Sequence, residues 1–291
     1  MTSCCAFTLP APAKLNLFLH VVGRRADGYH LLETLFTFLD QGDCLSFRLH
    51  DELSLLNPGD SPADEHNLVL RAARLLQQHT GCTQGALLRL KKSLPLGGGL
   101  GGGSSDAATC LLGLNRLWEL NLSIDELAEL GAQLGADVPV FVHGTTAFAE
   151  GVGEKLTPVN LPEADYLVLH PGIEVSTAAV FAAPQLTRNS LNLTVADFLA
   201  EPDWLTAGSR FINVCEPVAC AQFPVIAEAL TWLADKVGNS RMTGTGACVF
   251  ARLDDRSEGE RLLTRLPVGW KGFVARSCQT SPLHQALAEI V

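Results

Sequence analysis

The chain has 291 residues, 47% of them hydrophobic and 18% charged, with a formal net charge of -10; this length exceeds one ordinary core and suits two. The acidic balance argues against nucleic acid, whose phosphate backbone calls for an extended basic surface, and no uncharged apolar run reaches the roughly 18 residues of a membrane span. Nine cysteines, an odd number with no C-x-x-C pair, read as reduced core residues of a cytoplasmic protein and not as a zinc or redox site.

The N-terminal stretch MTSCCAFTLPAPAKLNL has no basic segment followed by an apolar one, so no secretory leader is expected. From Lys14 to Val22, KLNLFLHVV alternates, with Leu15, Leu17, Leu19 and Val21 on one face and Lys14, Asn16, Phe18 and His20 on the other. Asp27-Gly28 marks a turn, and LLETLFTFLD and DCLSFRLH then read as two strands joined at Gln41-Gly42. HNLVLRAARLLQQH carries Leu68, Ala72, Leu75 and Leu76 at helical spacing, with Gly81 as the stop, and ALLRLKKSL follows as a strand.

Next comes LPLGGGLGGGSSDAA, from Leu94 to Ala108, with six glycines among the seven residues Gly97 to Gly103. Ala107, Ala108, Leu111, Leu112 and Leu117 continue it at helical period, which puts Ser104, Ser105 and Asp106 at a helix N-terminus. A flexible linker would be more polar and would not open an apolar helix. Glycine lets the backbone pass through positive φ, so that successive N–H groups converge on one anion beside the positive end of a helix. The stretch therefore predicts a phosphate loop, with Gly101 and Gly102 expected to need the freedom of glycine.

Known phosphate loops fit it poorly. The Walker pattern fails because its lysine position holds Gly103 or Ser104. The dinucleotide pattern matches at Gly97, Gly99 and Gly102, but the acidic residue expected about 20 positions later falls on Asp125, at a helix start. Positive charge must come from elsewhere: from Lys14, unless that is a solvated edge lysine, from Lys91 or Lys92, or from a magnesium ion on the hydroxyls of Ser104 and Ser105. Ser123 and Glu126 have the spacing of a capping box for a helix to about Leu134. In LGADVPVFVHG, Asp137 is an isolated acid in apolar surroundings; it suits a helix N-cap ahead of Pro139 and also a base that accepts a hydroxyl proton in phosphoryl transfer. Prolines at 158, 162 and 171 loosen the pattern, giving a first domain over 1–160 and a second over 161–291. Within the second, RMTGTGACVF places Gly244 and Gly246 before a strand-like run.

PAKLNL, the glycine-serine loop and MTGTGACVF, in this order, resemble the motifs of the GHMP kinases, named for galactokinase, homoserine kinase, mevalonate kinase and phosphomevalonate kinase. Within that superfamily, PAKLNLFLHVVGRRADGYHLLET, LPLGGGLGGGSSDAA and GADVPVF are most similar to the members that phosphorylate the 2-hydroxyl of 4-diphosphocytidyl-2-C-methyl-D-erythritol in non-mevalonate isoprenoid biosynthesis. The match runs from Pro12 to about Ala251. The resemblance implies a two-domain α+β fold with the active site in the inter-domain cleft, ATP as phosphoryl donor and Mg2+ as cofactor. It implies Asp137 as catalytic base and Lys14 as the cation that holds Asp137 and the reacting groups. Pro95, Leu96, Gly97, Gly98, Gly99, Leu100, Gly101, Gly102, Gly103, Ser104 and Ser105 would form the ATP loop, with Ser105 as metal ligand. Asn16, Tyr29, His30 and Phe181 would contact the cytidine-bearing substrate. A cytoplasmic monomer or weak homodimer with a small-molecule substrate, and no nucleic-acid or membrane partner, is the expectation. One departure is Asn213-Val214, where members often have Asn-Asp. The alternatives are another kinase of the superfamily acting on a smaller alcohol, a non-catalytic binding protein and, from the glycine pattern alone, a dinucleotide-dependent oxidoreductase.

Overall fold

The structure, a computed structural model, describes residues 6–56, 66–206 and 208–290. It opens on two long antiparallel strands, β1 (Ala6–Arg24) and β2 (His30–His50), paired from Ala6↔Arg48 to Arg24↔His30. The intervening turn is the expected one, with Gly28 at φ 94° and the Tyr29 N–H donating to Asp27 Oδ1 at 3.2 Å. The joint expected at Gln41-Gly42 does not exist, because β2 runs straight through it with Gly42 opposite Pro12. A Cβ at Gly42 would collide with the backbone of Ala11 and Pro12. Here glycine marks close backbone approach and not a turn. Beside it the register shifts between Pro12 and Lys14, a bulge where proline can offer no ladder N–H.

The next elements are β3 (Ser54–Leu56), α1 (Leu68–Thr80), β4 (Gly85–Lys91), α2 (Gly102–Leu117), α3 (Ile124–Leu134) and α4 (Val138–His143). Asn67 caps α1 through its side chain and Gly81 ends it in the left-handed region; Ser123 and Glu126 form the capping box of α3. After these come β5 (Ala147–Gly151), β6 (Lys155–Pro158), β7 (Asp165–His170), α5 (Thr177–Ala182), α6 (Val195–Leu199), α7 (Glu216–Gln222) and α8 (Pro224–Val237). The chain closes with β8 (Arg241–Met242), β9 (Val249–Leu253), α9 (Arg256–Leu263), β10 (Lys271–Cys278) and α10 (Pro282–Glu289).

The fold is α+β. Its sheet runs β3-β4-β2-β10-β7-β9-β8, with β1 and β5 also on β2 and β6 on β5. Among the described strands only β3 and β4 pair in parallel, which removes the doubly wound parallel sheet that a dinucleotide-dependent oxidoreductase would need. One core joins α1, α2 and α3 to the β1–β2–β4 face around Phe38, Phe47 and Leu111. Another lies around Leu167, Ala229 and Leu233 under α7 and α8. Between them Phe18 from β1 packs on Phe148, Phe198 and Phe211, so a third core ties early strands to late segments. Leu283 of α10 returns to the first core.

Of the cysteines, Cys4 and Cys5 lie outside the described residues, and the other seven are free thiols. Burial pushes the Cys215 thiol up to about 12. No helix among the described residues is long and apolar enough to cross a membrane.

Candidate active site

The polar side of β1 is buried and not solvated: Lys14 and Asn16 are each 2% exposed and His20 4%. The alternation read from the sequence is present, yet both faces of the strand are covered, so Lys14 is no edge lysine. Its ammonium group donates to Asn16 Oδ1, lies 3.4 Å from Asp137 Oδ2 and sits 5.2 Å above the Phe36 ring. A buried lysine is tolerated only with such partners. Asp137 occupies the N-cap position of α4, ahead of Pro139, but its side chain makes no capping hydrogen bond and is directed instead to Lys14.

The glycine loop closes over this pair. The carbonyls of Gly97 and Gly98 accept the N–H groups of Ala247 and Cys248, both at 3.1 Å, and Leu100 accepts Lys14 N–H at 3.0 Å. Gly99 accepts the Thr243 hydroxyl at 3.4 Å and Gly101 the Ser105 N–H at 2.8 Å. Five successive carbonyls are thereby tied to the protein. α2 starts at Gly102, two residues before the Ser104 expected from periodicity, with Gly101 as its N-cap at φ 73°. The first amides of such a helix have no intrahelical acceptor and carry the positive end of its dipole. Gly101 does require glycine, since a Cβ there would stand 2.7 Å from the Phe141 ring and 3.1 Å from Lys14 Cε. Gly102 does not: it is helical, and its nearest neighbour, Lys92 Nζ, would be 3.4 Å from an added Cβ.

Loop, ion pair and late glycine motif line one cleft of about 420 Å3, to which Lys14, Asn16, Thr34, Asp137, Thr177, Phe181, Gly244 and Thr245 contribute along with Pro95 to Ser104. A larger groove, about 970 Å3, lies across Lys92–Leu96 against β7 and β10; neither Lys14 nor Asp137 lines it. Ser105 is fully buried with an unpartnered hydroxyl and does not line the cleft, whereas Ser104 does. Lys92 is engaged beneath the loop, 2.5 Å from Asp43 Oδ2 and 2.7 Å from Asp106 Oδ2. Burial would lower the Lys92 ammonium, but the two carboxylates outweigh it and hold it above its ordinary value. Burial pushes the Asp106 carboxyl up to about 7 against the pull of Lys92. Lys91 is at the exposed end of β4.

Of the expected substrate contacts, Phe181 lines the cleft and stacks on His30 with ring centroids 5.1 Å apart. Tyr29 is 63% exposed at the adjoining turn. Asn16 is fully engaged: besides Lys14, its Nδ2 donates to Thr34 Oγ1 and its backbone N–H to Thr243 Oγ1, both at 2.9 Å. Thr243, which the sequence did not single out, and Asn213, noted there only as part of a departure from the family, complete the site. Thr243 joins β1 to the loop, and Asn213, buried, donates to the carbonyls of Met242 at 2.7 Å and Gly244 at 2.8 Å, holding the late motif. The place of Thr243 directly before Gly244 of the late motif was the available signal for it; nothing local marked the holding role of Asn213, whose partner lies 29 residues away. Asn213 is thus a structural position.

Two family models match the chain: the GHMP kinases N terminal domain over residues 67–145 and the GHMP kinases C terminal model over 202–271. A protein of Alcanivorax borkumensis is 56% identical over 287 residues, covering 97% of this chain and 94% of its own, and one of Pseudoalteromonas atlantica is 51% identical, covering 97% and 96%. Both are named 4-diphosphocytidyl-2-C-methyl-D-erythritol kinase. A crystal structure of 4-(cytidine 5'-diphospho)-2C-methyl-D-erythritol kinase superposes with a TM-score of 0.80 at 32% identity, covering 93% of this chain and 99% of that one. Homoserine kinase from Cytophaga hutchinsonii, at 17% identity and a TM-score of 0.67, has the same fold.

Proposed function

The chain belongs to the GHMP kinase family, and we propose that it transfers the γ-phosphoryl group of ATP to the 2-hydroxyl of 4-diphosphocytidyl-2-C-methyl-D-erythritol, a step of non-mevalonate isoprenoid precursor biosynthesis. The observation that carries this reading is the Lys14–Asp137 pair, 3.4 Å apart, at the mouth of a loop whose carbonyls are turned into the protein. Near-full-length relatives at 51–56% identity supply the substrate's name.

In this mechanism the residues Pro95 to Ser104 bind the ATP phosphates through backbone N–H groups and the α2 N-terminus, while Ser105, off the cleft with its N–H given to Gly101, closes the first turn of the helix. Asp137, 38% exposed at its side chain and so within reach of a substrate, orients the alcohol and accepts its proton at Oδ2 as the new P–O bond forms. Lys14 keeps Asp137 in place and offsets negative charge that grows on the transferring group. Asn16 fixes the Lys14 ammonium through Oδ1. Tyr29, His30 and Phe181 receive the cytidine end.

The donor set for magnesium is sparse. No group of three His, Cys, Asp or Glu side chains among the described residues could hold a metal. The Ser105 hydroxyl is fully buried and off the cleft, so it does not fit the ion as the structure stands; the Ser104 hydroxyl, which lines the cleft at the start of α2, suits a cation that is bound chiefly through nucleotide phosphates and water. Held there, Mg2+ would supply charge neutralisation between the phosphates. The wider reading is of two lobes, 1–160 and 161–291, with the active site in the cleft between them and α10 packed back onto the first lobe. The protein would act as a cytoplasmic monomer or weak homodimer, with its thiols reduced.

ADP release with 4-diphosphocytidyl-2-C-methyl-D-erythritol, mevalonate, homoserine and galactose offered in parallel tests the assignment. Turnover of the first alone is expected. Turnover of one of the others without the first would overturn the substrate and leave a kinase.

A further inference from the structure

Arg188 lies outside the glycine loop and outside every motif of the sequence, yet all five of its N–H donors are used. Nη1 donates to the carbonyls of Leu186 at 3.0 Å and Pro184 at 3.5 Å, and Nη2 to those of Ala183 at 2.8 Å and Phe181 at 2.9 Å. These oxygens surround the C-terminal end of α5, which lacks any basic residue of its own in its last turn. The fifth donor, Nε–H, points to His30 Nε2 at 3.1 Å, across 158 residues of sequence. One guanidinium therefore joins the start of β2 to the helix end that carries Phe181, whose ring is stacked on that same imidazole at an interplanar angle of 24°.

A guanidinium only donates, so the ring nitrogen facing it has to accept. His30 Nε2 must then be unprotonated, and the proton of the neutral ring sits on Nδ1. Protonating Nε2 would set two N–H groups and two positive charges against each other. We propose that Arg188 is a positioning residue that holds His30 as the neutral Nδ1–H tautomer, stacked on Phe181, so that the site presents a fixed hydrogen-bond donor to a pyrimidine edge offering acceptors. This rests on the reading that the cleft takes a cytidine-bearing substrate. Cytosine offers acceptors at O2 and N3, whereas uracil carries a proton at N3. The surroundings act in the same direction: burial first, then Arg188 and Arg24, hold the His30 imidazolium below its usual range. A neutral donor would thus persist at pH values where a free histidine is partly charged.

The tautomer can be read without any ligand, from the 15N shifts of His30 in the free wild-type protein between about pH 5.5 and 8. The expected pattern is a protonated Nδ1 and an unprotonated Nε2 across that range. A protonated Nε2 near neutral pH overturns the proposal. In Arg188→Gln the ring should show mixed tautomers and titrate at higher pH. KM for the cytidine substrate should rise about tenfold, with kcat and KM for ATP changed less than about threefold. Arg188→Lys, which keeps the charge but not the five-donor fork, should keep the low titration and recover only part of KM. Unchanged 15N shifts and unchanged substrate KM in Arg188→Gln also overturn the proposal. Failure of the wild type to use 4-diphosphocytidyl-2-C-methyl-D-erythritol would instead strike the substrate assignment, with the tautomer measurement standing apart from it.

Discussion

The two regions proposed to take the phosphates and the cytidine are made by opposite means. At the proposed phosphate end the parts are backbone and buried charge: five consecutive carbonyls tied down, a helix start, and Lys14 enclosed by Asn16, Asp137 and Phe36. At the proposed cytidine end the parts are side chains from distant segments, Tyr29 and His30 where the first turn enters β2 and Phe181 on a short helix; of the three only Phe181 lines the cleft, and Tyr29 is 63% exposed. A constellation whose geometry governs the chemical step is set in close-packed surroundings, where small misplacement costs rate. A recognition surface that must admit a base is left open. Damage at the first end should therefore fall on kcat and ATP, and damage at the second on one substrate's KM.

The largest effects should come from the ion pair. Asp137→Asn removes the proposed proton acceptor and keeps the volume, and kcat should drop at least ~100-fold with ATP affinity little altered. Lys14→Ala should cost about 3 kcal/mol of transition-state stabilisation. Steady-state kinetics with ATP varied at saturating alcohol separates the two outcomes. An Asp137→Asn enzyme with near-native kcat would reduce that residue to its N-cap position. If Lys14→Ala only raised KM, the lysine would be a binding group and the contrast between the two ends would fail.

Next in size is a difference between adjacent glycines. Gly101→Ala forces a Cβ against Phe141 at a φ of 73°, a strain of roughly 1–3 kcal/mol that should also displace Lys14 and weaken ATP at least about tenfold. Gly102→Ala adds a methyl to the first helical residue with no neighbour closer than 3.4 Å, and ATP binding should stay within about threefold. ATP titrations of both variants make the test. Equal losses would mean that nearby bulk, and not the turn at Gly101, decides binding.

What the sequence disclosed follows the same division. The glycine loop, the helices around it, the capping box at Ser123 and the alternation of β1 are local features, and each is present. Lys14 could be picked out by type and strand position, but its burial could not, because the elements covering its face come from the loop, α4 and β2. Gly42 misled for the converse reason. A glycine that turns and a glycine that admits a neighbouring backbone look alike until the partner, here Ala11 and Pro12, is known. Asn213, Thr243 and Arg188 act through contacts 29 to 227 residues away in sequence, and no periodicity encodes those.

At the open end, Tyr29→Ala removes an aromatic surface worth roughly 1–3 kcal/mol when stacked on a base. KM for the cytidine substrate should rise about tenfold, with ATP parameters nearly unchanged. CDP should compete with that substrate and not with ATP. A Tyr29→Ala enzyme with altered ATP kinetics and an unaltered alcohol KM would place the aromatic on the wrong ligand.

The smallest effect probes the charge cluster beneath the loop, where Lys92 lies between Asp43 and Asp106. Asp43 is the fixed member, since its Oδ1 also accepts the N–H groups of Ser93 at 2.5 Å and Leu94 at 2.8 Å and so pins the approach to the loop. Asp106 has one oxygen on Lys92 and the other unpartnered. With both carboxylates ionised, one lysine faces two buried negative charges. Burial first, and then the neighbouring Asp43 carboxylate, push the Asp106 carboxyl from 3.8 up to about 7 in the folded chain against the pull of Lys92. Between those values the folded state retains a proton that the unfolded state has released. The stability this confers is complete below 3.8 and is lost as pH rises through about 7. Asp106→Asn keeps a neutral group beside the Lys92–Asp43 pair and cannot lose a proton. From about pH 5 to 8 the melting temperature of the wild type should therefore fall relative to the variant by a few degrees. Parallel curves for the two proteins would mean that Asp106 is already ionised at pH 5, held so by Lys92.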